Sequence, residues 1–294
     1  MVSESNDLKE NEGIETQIID KSDQKNEINS DLYHGGIVFP QHASLNAAKY
    51  HKDLIEKAIG LGVSIISNCE MVDFKKKLDE FSVLTNKGPL TASNLVVATN
   101  GYTSNVTPWL NKRNIPIGSY VIATEELPIN YISSLFPTNR HITDTCRVVY
   151  YFRPSPDRKR IIFGGRVSSR EICLSKSAPL LLKDLKRVFP DLPELKISHS
   201  WMGYVSYTFD HLPHTGSEDG LYYSMGYCGS GIALSSYLGM KLGKKVIGDN
   251  DGATAFDSLK FPTRPFYNGR PWFLPAVVEL YKFRDSREMI KYMN

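Results

Sequence analysis

The residues most capable of chemistry cluster between Gly226 and Gly243. Gly226-Tyr227-Cys228-Gly229-Ser230-Gly231 follows an apolar run, Leu221-Tyr222-Tyr223-Ser224-Met225, that predicts a strand, and it leads into a predicted helix from Ile232 to about Ile247. Glycine lets backbone approach a ligand closely and adopt left-handed dihedrals. A helix N-terminus presents unpaired N–H groups and the positive end of a dipole. Gly231, Ser235, Gly239 and Gly243 recur at every fourth position, so the helix carries a small-residue stripe near which something can pack. Together these features suit the electron-rich edge of a ligand. The same residues are also compatible with a tight turn into a helix packed closely on a sheet, because short glycine motifs recur by chance. No Lys follows the last glycine of the turn, so this is not a P-loop.

Three further segments carry weaker signals. Val96-Val97-Ala98-Thr99-Asn100-Gly101 predicts a strand stopping at a glycine turn, and ligands bind at the carboxyl ends of strands in open α/β sheets. An ordinary strand-to-loop stop is the alternative. Asp210-His211-Leu212-Pro213-His214-Thr215-Gly216 contains two histidines, but no third ligand is nearby and the spacing is not that of a helical metal pair, so no metal is expected. A Pro-x-x-Gly turn is the plainer reading there. Gly164-Gly165-Arg166 is a strand end whose Arg could clamp a carboxylate.

The elements that must position these segments alternate between types. Ser44 opens a predicted helix whose Ala47, Tyr50, Leu54, Ala58 and Leu61 should share one buried face. Gly60 and Gly62 end it, and Val63-Ser64-Ile65-Ile66 predicts a strand, which would make half of a βαβ unit. Leu95 to Ala98 is continuously apolar, as expected of a strand buried on both faces. From Ile115 to about Trp201 the pattern turns antiparallel: a strand at Ile117–Ile122, and a hairpin of Arg147–Phe152 with Ile161–Gly165 around Pro154-Ser155-Pro156-Asp157. Pro179 predicts the first residue of a helix whose Leu181, Leu185 and Val188 share a face. A helix is also expected from Ala276 to Arg284.

Composition limits the classes open to this chain. Its 294 residues can bury a sizeable core, and sixteen Tyr, thirteen Phe and three Trp argue against disorder throughout. A formal charge of +3 gives no reason to expect nucleic acid. Cys69, Cys146, Cys173 and Cys228 are widely spaced, with neither a CxxC motif nor a zinc knuckle, which favours a reducing, cytoplasmic setting. No run is long enough for an apolar membrane span, and no membrane partner is expected.

In their joint order, Tyr33-His34-Gly35-Gly36, Asn46 to Tyr50, Val96 to Gly101, Pro116 to Glu125, Phe163-Gly164-Gly165-Arg166, Asp210 to Gly216 and Gly226 to Gly231 resemble one family. It is the FAD-dependent oxidoreductases of the D-amino-acid-oxidase-like superfamily, which include glycine oxidase and sarcosine oxidase, with gamma-glutamylputrescine oxidase as the most similar branch. The resemblance covers about Glu15 to Gly248. It implies an α/β fold class: a Rossmann-like FAD-binding domain, here incomplete, plus a mixed-sheet α+β substrate domain. The boundaries expected are a disordered tail over 1–15, interleaved FAD-binding segments at 16–112 and 205–250, a substrate domain at 113–204 and a C-terminal extension at 251–294.

The resemblance also implies site residues. The backbone near Met71 would meet the adenine, and Thr99-Asn100-Gly101 would lie near the flavin. Pro213 to Gly216 and Gly226, Tyr227, Cys228, Gly229, Ser230, Gly231 and Ile232 would surround the isoalloxazine ring. Relatives that hold flavin covalently use a cysteine before the Pro-x-x-Gly turn. Trp201-Met202-Gly203-Tyr204 stands there instead, so non-covalent FAD is expected. Tyr120, Tyr150 and Arg166 are candidate substrate contacts, and no catalytic acid–base residue is indicated. The implied reaction is oxidation of a C–N bond in a small amine or amino acid, with hydride passing to flavin and O2 as acceptor. The family's opening strand, G-x-G-x-x-G turn and helix are absent from these 294 residues. The expectation that follows is a truncated form, a non-catalytic remnant, or one half of a split flavoprotein complemented by a separate N-terminal half.

Overall fold

A computed structural model of the chain describes residues 2–293. In chain order its main elements are α1 (Val2–Glu12), β1 (Gln17–Asp20), β2 (Gly35–Val38), α2 (Ala47–Gly60), β3 (Met71–Lys77), β4 (Glu80–Thr85), β5 (Gly88–Ala92), β6 (Leu95–Val97), α3 (Pro108–Asn111), β7 (Ile115–Thr124), α4 (Ile129–Leu135), β8 (Ile142–Thr143), β9 (Tyr150–Pro154), β10 (Ile161–Gly165), α5 (Leu174–Val188), β11 (Ile197–Tyr207), β12 (His214–Glu218), β13 (Leu221–Met225), α6 (Gly231–Val246) and α7 (Leu274–Met293). The fold class is mixed α/β. The chain divides into two units: residues 1–50, 119–203 and 273–294 form the first, and 51–118 with 204–272 the second. The divisions at 118/119 and 203/204 fall inside β7 and β11. Unlike the boundaries read from sequence, residues 16–50 and 273–294 join the unit built on the central segment.

The first unit is organised by a five-stranded sheet in the order β11-β7-β10-β9-β8. β9 and β10 form the expected hairpin, pairing Phe152 with Phe163, and β10 pairs antiparallel with β7 through Phe163 and Ile122. The turn between them is closed by Ser155 N donating to Arg160 O at 2.8 Å, with Arg158 in a left-handed conformation. Phe136, Phe152 and Phe189 meet edge-on and Phe163 stacks on Phe152, all four rings essentially buried. Each such ring removes a large apolar area from water, which makes this cluster the unit's energetic centre. α5 buries Leu181, Leu185 and Val188 on it, as the spacing predicts. Pro179 lies inside α5 rather than at its start. The helix begins at Leu174, and Pro179 forgoes only one i→i−4 bond near the N-terminal end. Residues 1–15 were expected to be a disordered tail, but Val2–Glu12 form α1, which buries none of its residues.

The second unit contains two three-stranded sheets, β3-β4-β5 and β12-β13-β6. β4 alternates, burying Phe81 and Val83. β6 pairs parallel with β13, Val96 opposite Tyr222 and Val97 opposite Tyr223, while β12 pairs antiparallel with β13. One face of this sheet, with Val97, Leu221, Tyr223 and Met225, buries itself against Phe81, Val83, Leu110 and Phe261. The other face is not closed. Val96 is 45% exposed, so β6 is buried on one face rather than two.

Two expectations fail here for one reason. The stripe on α2 is not buried: no α2 residue is, and Leu54 and Leu61 stand open to solvent. Val63 to Ile66 forms no strand, and Val63, Ile65 and Ile66 are exposed. A strand needs a neighbour for its backbone groups, and an apolar helix face needs a surface to cover it. Nothing among the described residues of this unit supplies either.

Candidate functional site

β6 and β13 run parallel, so both deliver their carboxyl ends to the same side of the sheet. β6 runs out into Ala98, Thr99 and a 3-10 turn at Asn100–Tyr102, and β13 into Gly226 to Ser230 and then α6. The two turns are tied directly: Gly226 N donates to Asn100 Oδ1 at 3.0 Å across 126 residues of sequence. Asn100 adopts a left-handed conformation, φ 45°, which Asn tolerates better than most residues and which aims its amide at the other turn.

The Gly226 turn is tightly constrained. Gly226 has φ 79°, and a Cβ there would stand 2.3 Å from Thr208 Cγ2, so both dihedral and space require glycine. Gly101 is restricted by space alone, since a Cβ would come within 2.6 Å of Tyr204 O. Cys228 also has positive φ, held by its N–H donating to Ser206 O at 3.0 Å and its thiol donating to Gly226 O at 3.2 Å. Ser206 is itself buried and donates to Asn114 Oδ1 at 2.6 Å. Tyr227 is buried, with its hydroxyl 2.9 Å from Ser224 Oγ, and burial raises its pKa.

Between these turns and the near face of α6 lies a cleft of ≈ 630 Å³. Asn100, Tyr227, Cys228, Gly229, Gly231 and Ile232 line it, and all six were expected from sequence at a ligand. The small-residue stripe of α6, from Gly231 through Ser235 and Gly239 to Gly243, continues along it. A Cβ added at Gly239 or Gly243 would meet nothing within 4 Å, so the stripe faces open space and does not serve close packing on the sheet. Ser230, which precedes α6, makes no side-chain cap, and the helix's first N–H groups have no carbonyl partner within the helix.

The other expected residues are not among those lining it. Thr99 pairs hydroxyls with Thr103 at 2.8 Å, and Gly101 sits behind Asn100. Pro213 is buried in the turn before β12, and Gly216 faces the Tyr223 hydroxyl within the sheet. Met71 opens β3 and leans on the second unit's core. Tyr120, Tyr150 and Arg166 belong to the first unit, where each engages a neighbour. Tyr120 is fully buried; its hydroxyl donates to Glu171 Oε2 at 2.7 Å and accepts from Ile172 N, and burial with the Glu171 contact pushes its pKa up to about 12. Arg166 pairs with the same Glu171 at 3.0 Å. The Tyr150 hydroxyl donates to Asp184 Oδ2 at 2.8 Å. Tyr120 therefore presents no surface to a ligand here, against expectation: a side chain on an inward-facing β7 position goes to the core.

Sequence reasoning missed Tyr204 to Ser206 at the end of β11, which complete the wall opposite α6. No local motif marks them. His214 Nε2 contacts both oxygens of Asp210 at 3.1 Å, and among the described residues no group of three or more His, Cys, Asp or Glu side chains comes together. All four cysteines are free thiols, and no described helix is long and apolar enough to cross a membrane.

A probable oxidoreductase OrdL of Haemophilus influenzae is 29% identical over 278 residues, covering 92% of this chain and 63% of that protein. Gamma-glutamylputrescine oxidoreductase of Escherichia coli is 30% identical over 279 residues, again covering 92% and 63%. The chain thus spans less than two thirds of the length of these relatives. Among solved structures, glycine oxidase from Geobacillus kaustophilus has the same fold, with a TM-score of 0.69 at 19% identity, covering 90% of this chain and 72% of that one. The model of the FAD dependent oxidoreductase family, DAO, matches residues 2–244, and the chain belongs to that family.

Proposed function

We propose that the cleft at the ends of β6 and β13 receives the isoalloxazine end of a non-covalently held FAD, in a protein that oxidises a C–N bond of a small amine or amino acid. The observation carrying this reading is the Gly226 N to Asn100 Oδ1 bond, which ties two glycine-bearing turns together along one side of the hollow whose other side is α6. When bound, FAD supplies the two-electron acceptor for hydride from the carbon beside the amine, with O2 as the terminal acceptor. The chain's own part is electrostatic and steric. The free N–H groups at Gly231 and Ile232 bring the positive end of α6 to the cleft, where they favour negative charge on whatever lies there. Asn100, Tyr204 and Tyr227 wall the hollow and limit water. The substrate class rests on family membership and on the names of the relatives, a gamma-glutamylputrescine oxidoreductase and a glycine oxidase.

A second reading is favoured by the open side of the same unit. Among the described residues β6 pairs with no strand but β13, α2 buries no side chain, and Val63 to Ile66 joins no sheet. In this reading FAD binds only when a further polypeptide segment, such as a separate N-terminal half, covers those surfaces. One experiment separates the two. The purified chain is titrated with FAD and its absorbance followed at ~450 nm, the flavin band, alone and with the unmatched third of the E. coli relative added in trans. Yellow colour with the chain alone, lost in Asn100→Ala, supports the first reading. Colour only with the added segment supports the second. No colour in either arm refutes the cofactor cleft.

A further inference from the structure

We propose that Asp210 and His214 are a positioning pair that sets the backbone of the cleft by holding the turn after Thr208 against the Gly226–Cys228 turn. Its purpose rests on the cofactor reading above, but its geometry does not.

His214 opens β12 with its side chain 2% exposed, so it reaches neither solvent nor the cleft. Its ring lies flat on Phe261, centroids 4.0 Å apart at 8°, and its Nε2 sits 3.1 Å from each Asp210 oxygen. For a neutral ring this requires the proton on Nε2. Asp210 Oδ1 also accepts from Leu212 N at 3.2 Å, and Leu212 O accepts from Thr208 Oγ1 at 2.9 Å. Between them His211 is held at φ 60°, a conformation that an isolated turn would not retain. Thr208 then meets the other turn twice: its methyl occupies the space a Gly226 side chain would need, and its hydroxyl lies 3.6 Å from Cys228 Sγ. The chain of contacts runs from His214 through Asp210, Leu212 and Thr208 to two residues of the Gly226 turn. Partial burial opposes ionisation of Asp210, yet the bonds from His214 and Leu212 hold its carboxyl below the ordinary range, so the acceptor is charged.

A role in packing alone would reside in the ring stack, whereas a positioning role resides in the bond to Asp210. His214→Phe removes the bond and keeps the stack; His214→Gln keeps a donor near the place of Nε2 and loses the stack. The readout is peptide-resolved alkylation of Cys228 by iodoacetamide in the full chain without added FAD, with exposed Cys173 as internal reference. The expected result is a rise of about tenfold in the Cys228-to-Cys173 ratio for His214→Phe, the scale of losing one charge-assisted bond, and a return to within about twofold of the parent for His214→Gln. An unchanged ratio in His214→Phe, or equal acceleration of both cysteines, overturns the proposal. If His214→Phe does not fold, Asp210→Asn decides by the same ratio: a rise of about threefold supports it and no rise overturns it. FAD titration separates this inference from the reading it serves. A parent chain that binds no FAD, with the ratio still shifting, removes the cofactor role and leaves the pair standing. Where the parent does bind FAD, equal affinity in His214→Phe together with an unchanged ratio removes the pair's positioning role.

Discussion

The two units of this chain use their apolar residues differently. In the first, the periodicities of β7, β9, β10 and α5 all end in one core, and Tyr120, Phe136, Phe152 and Phe163 are at most 1% exposed. In the second, only one face of the β12-β13-β6 sheet finds a comparable partner, while Val96, Leu54, Leu61, Val63, Ile65 and Ile66 remain open. An apolar pattern states what a segment can bury, and whether it does so depends on a partner elsewhere in the fold. The unit that holds the candidate cleft is the one whose patterns are only partly satisfied.

Substitutions can break that contrast. The largest effect is expected in the first core: Phe152→Ala should destabilise its unit by about 3–5 kcal/mol, read as a fall in the urea midpoint of that unit's transition. Next is Gly226→Val in the second unit, where positive φ and the Thr208 methyl both oppose a β-branched side chain. A loss of about 2–3 kcal/mol in the second unit's transition, with loss of any FAD binding, is expected; normal binding and stability would contradict the description of this turn.

An effect of similar size should follow pH in the first unit. Burial raises the Asp144 carboxyl to about 6, against the pull of bonds from Tyr150 N and Cys146 N, with Asp285 adding to the rise. The folded value lies above the unfolded one. The stabilisation it contributes is therefore complete below about pH 4 and lost as pH rises through about 6, amounting to roughly 2–3 kcal/mol. Thermal melts should show this loss in the parent and a flat profile over the same window in Asp144→Asn. The smallest effect is predicted at Leu61, 77% exposed beyond α2. Leu61→Lys should change stability by no more than about 0.5 kcal/mol while reducing light scattering at high concentration; a large loss of stability would show that this face is covered after all.

Much of the first unit was legible in the sequence because its signals are local. The hairpin at Pro154-Ser155-Pro156-Asp157 and the shared face of Leu181, Leu185 and Val188 need only neighbours close in the chain. In the second unit, α2 was found within three residues of its observed start and its burial misjudged, since burial is a property of what lies opposite. The cleft was half legible: glycine turns identify themselves, so the Gly226 and Asn100 turns stood out. Tyr204 to Ser206 carry no local motif, and the Asp210–His214 pair is made by a side-chain bond, whereas the sequence had raised His214 as a rejected metal ligand and as part of the Pro213 to Gly216 stretch expected near the flavin. Tyr120, offered as a candidate substrate contact alongside the family resemblance, is a buried core residue whose hydroxyl is satisfied by Glu171.

The bond between Gly226 and Asn100 spans 126 residues, and the whole central insertion 119–203 lies between its ends. During synthesis, β6 emerges from the ribosome long before its parallel mate exists. Loop-closure entropy and slow non-local pairing place the joining of these strands late. Until then β6 and the turn that follows it are an unpaired hydrophobic edge exposed to other chains and to chaperones. Pulse-labelled hydrogen exchange during refolding should accordingly protect the amides of β9 and β10 before those of β6, and the opposite order would mean that the inserted unit waits for the sheet that flanks it.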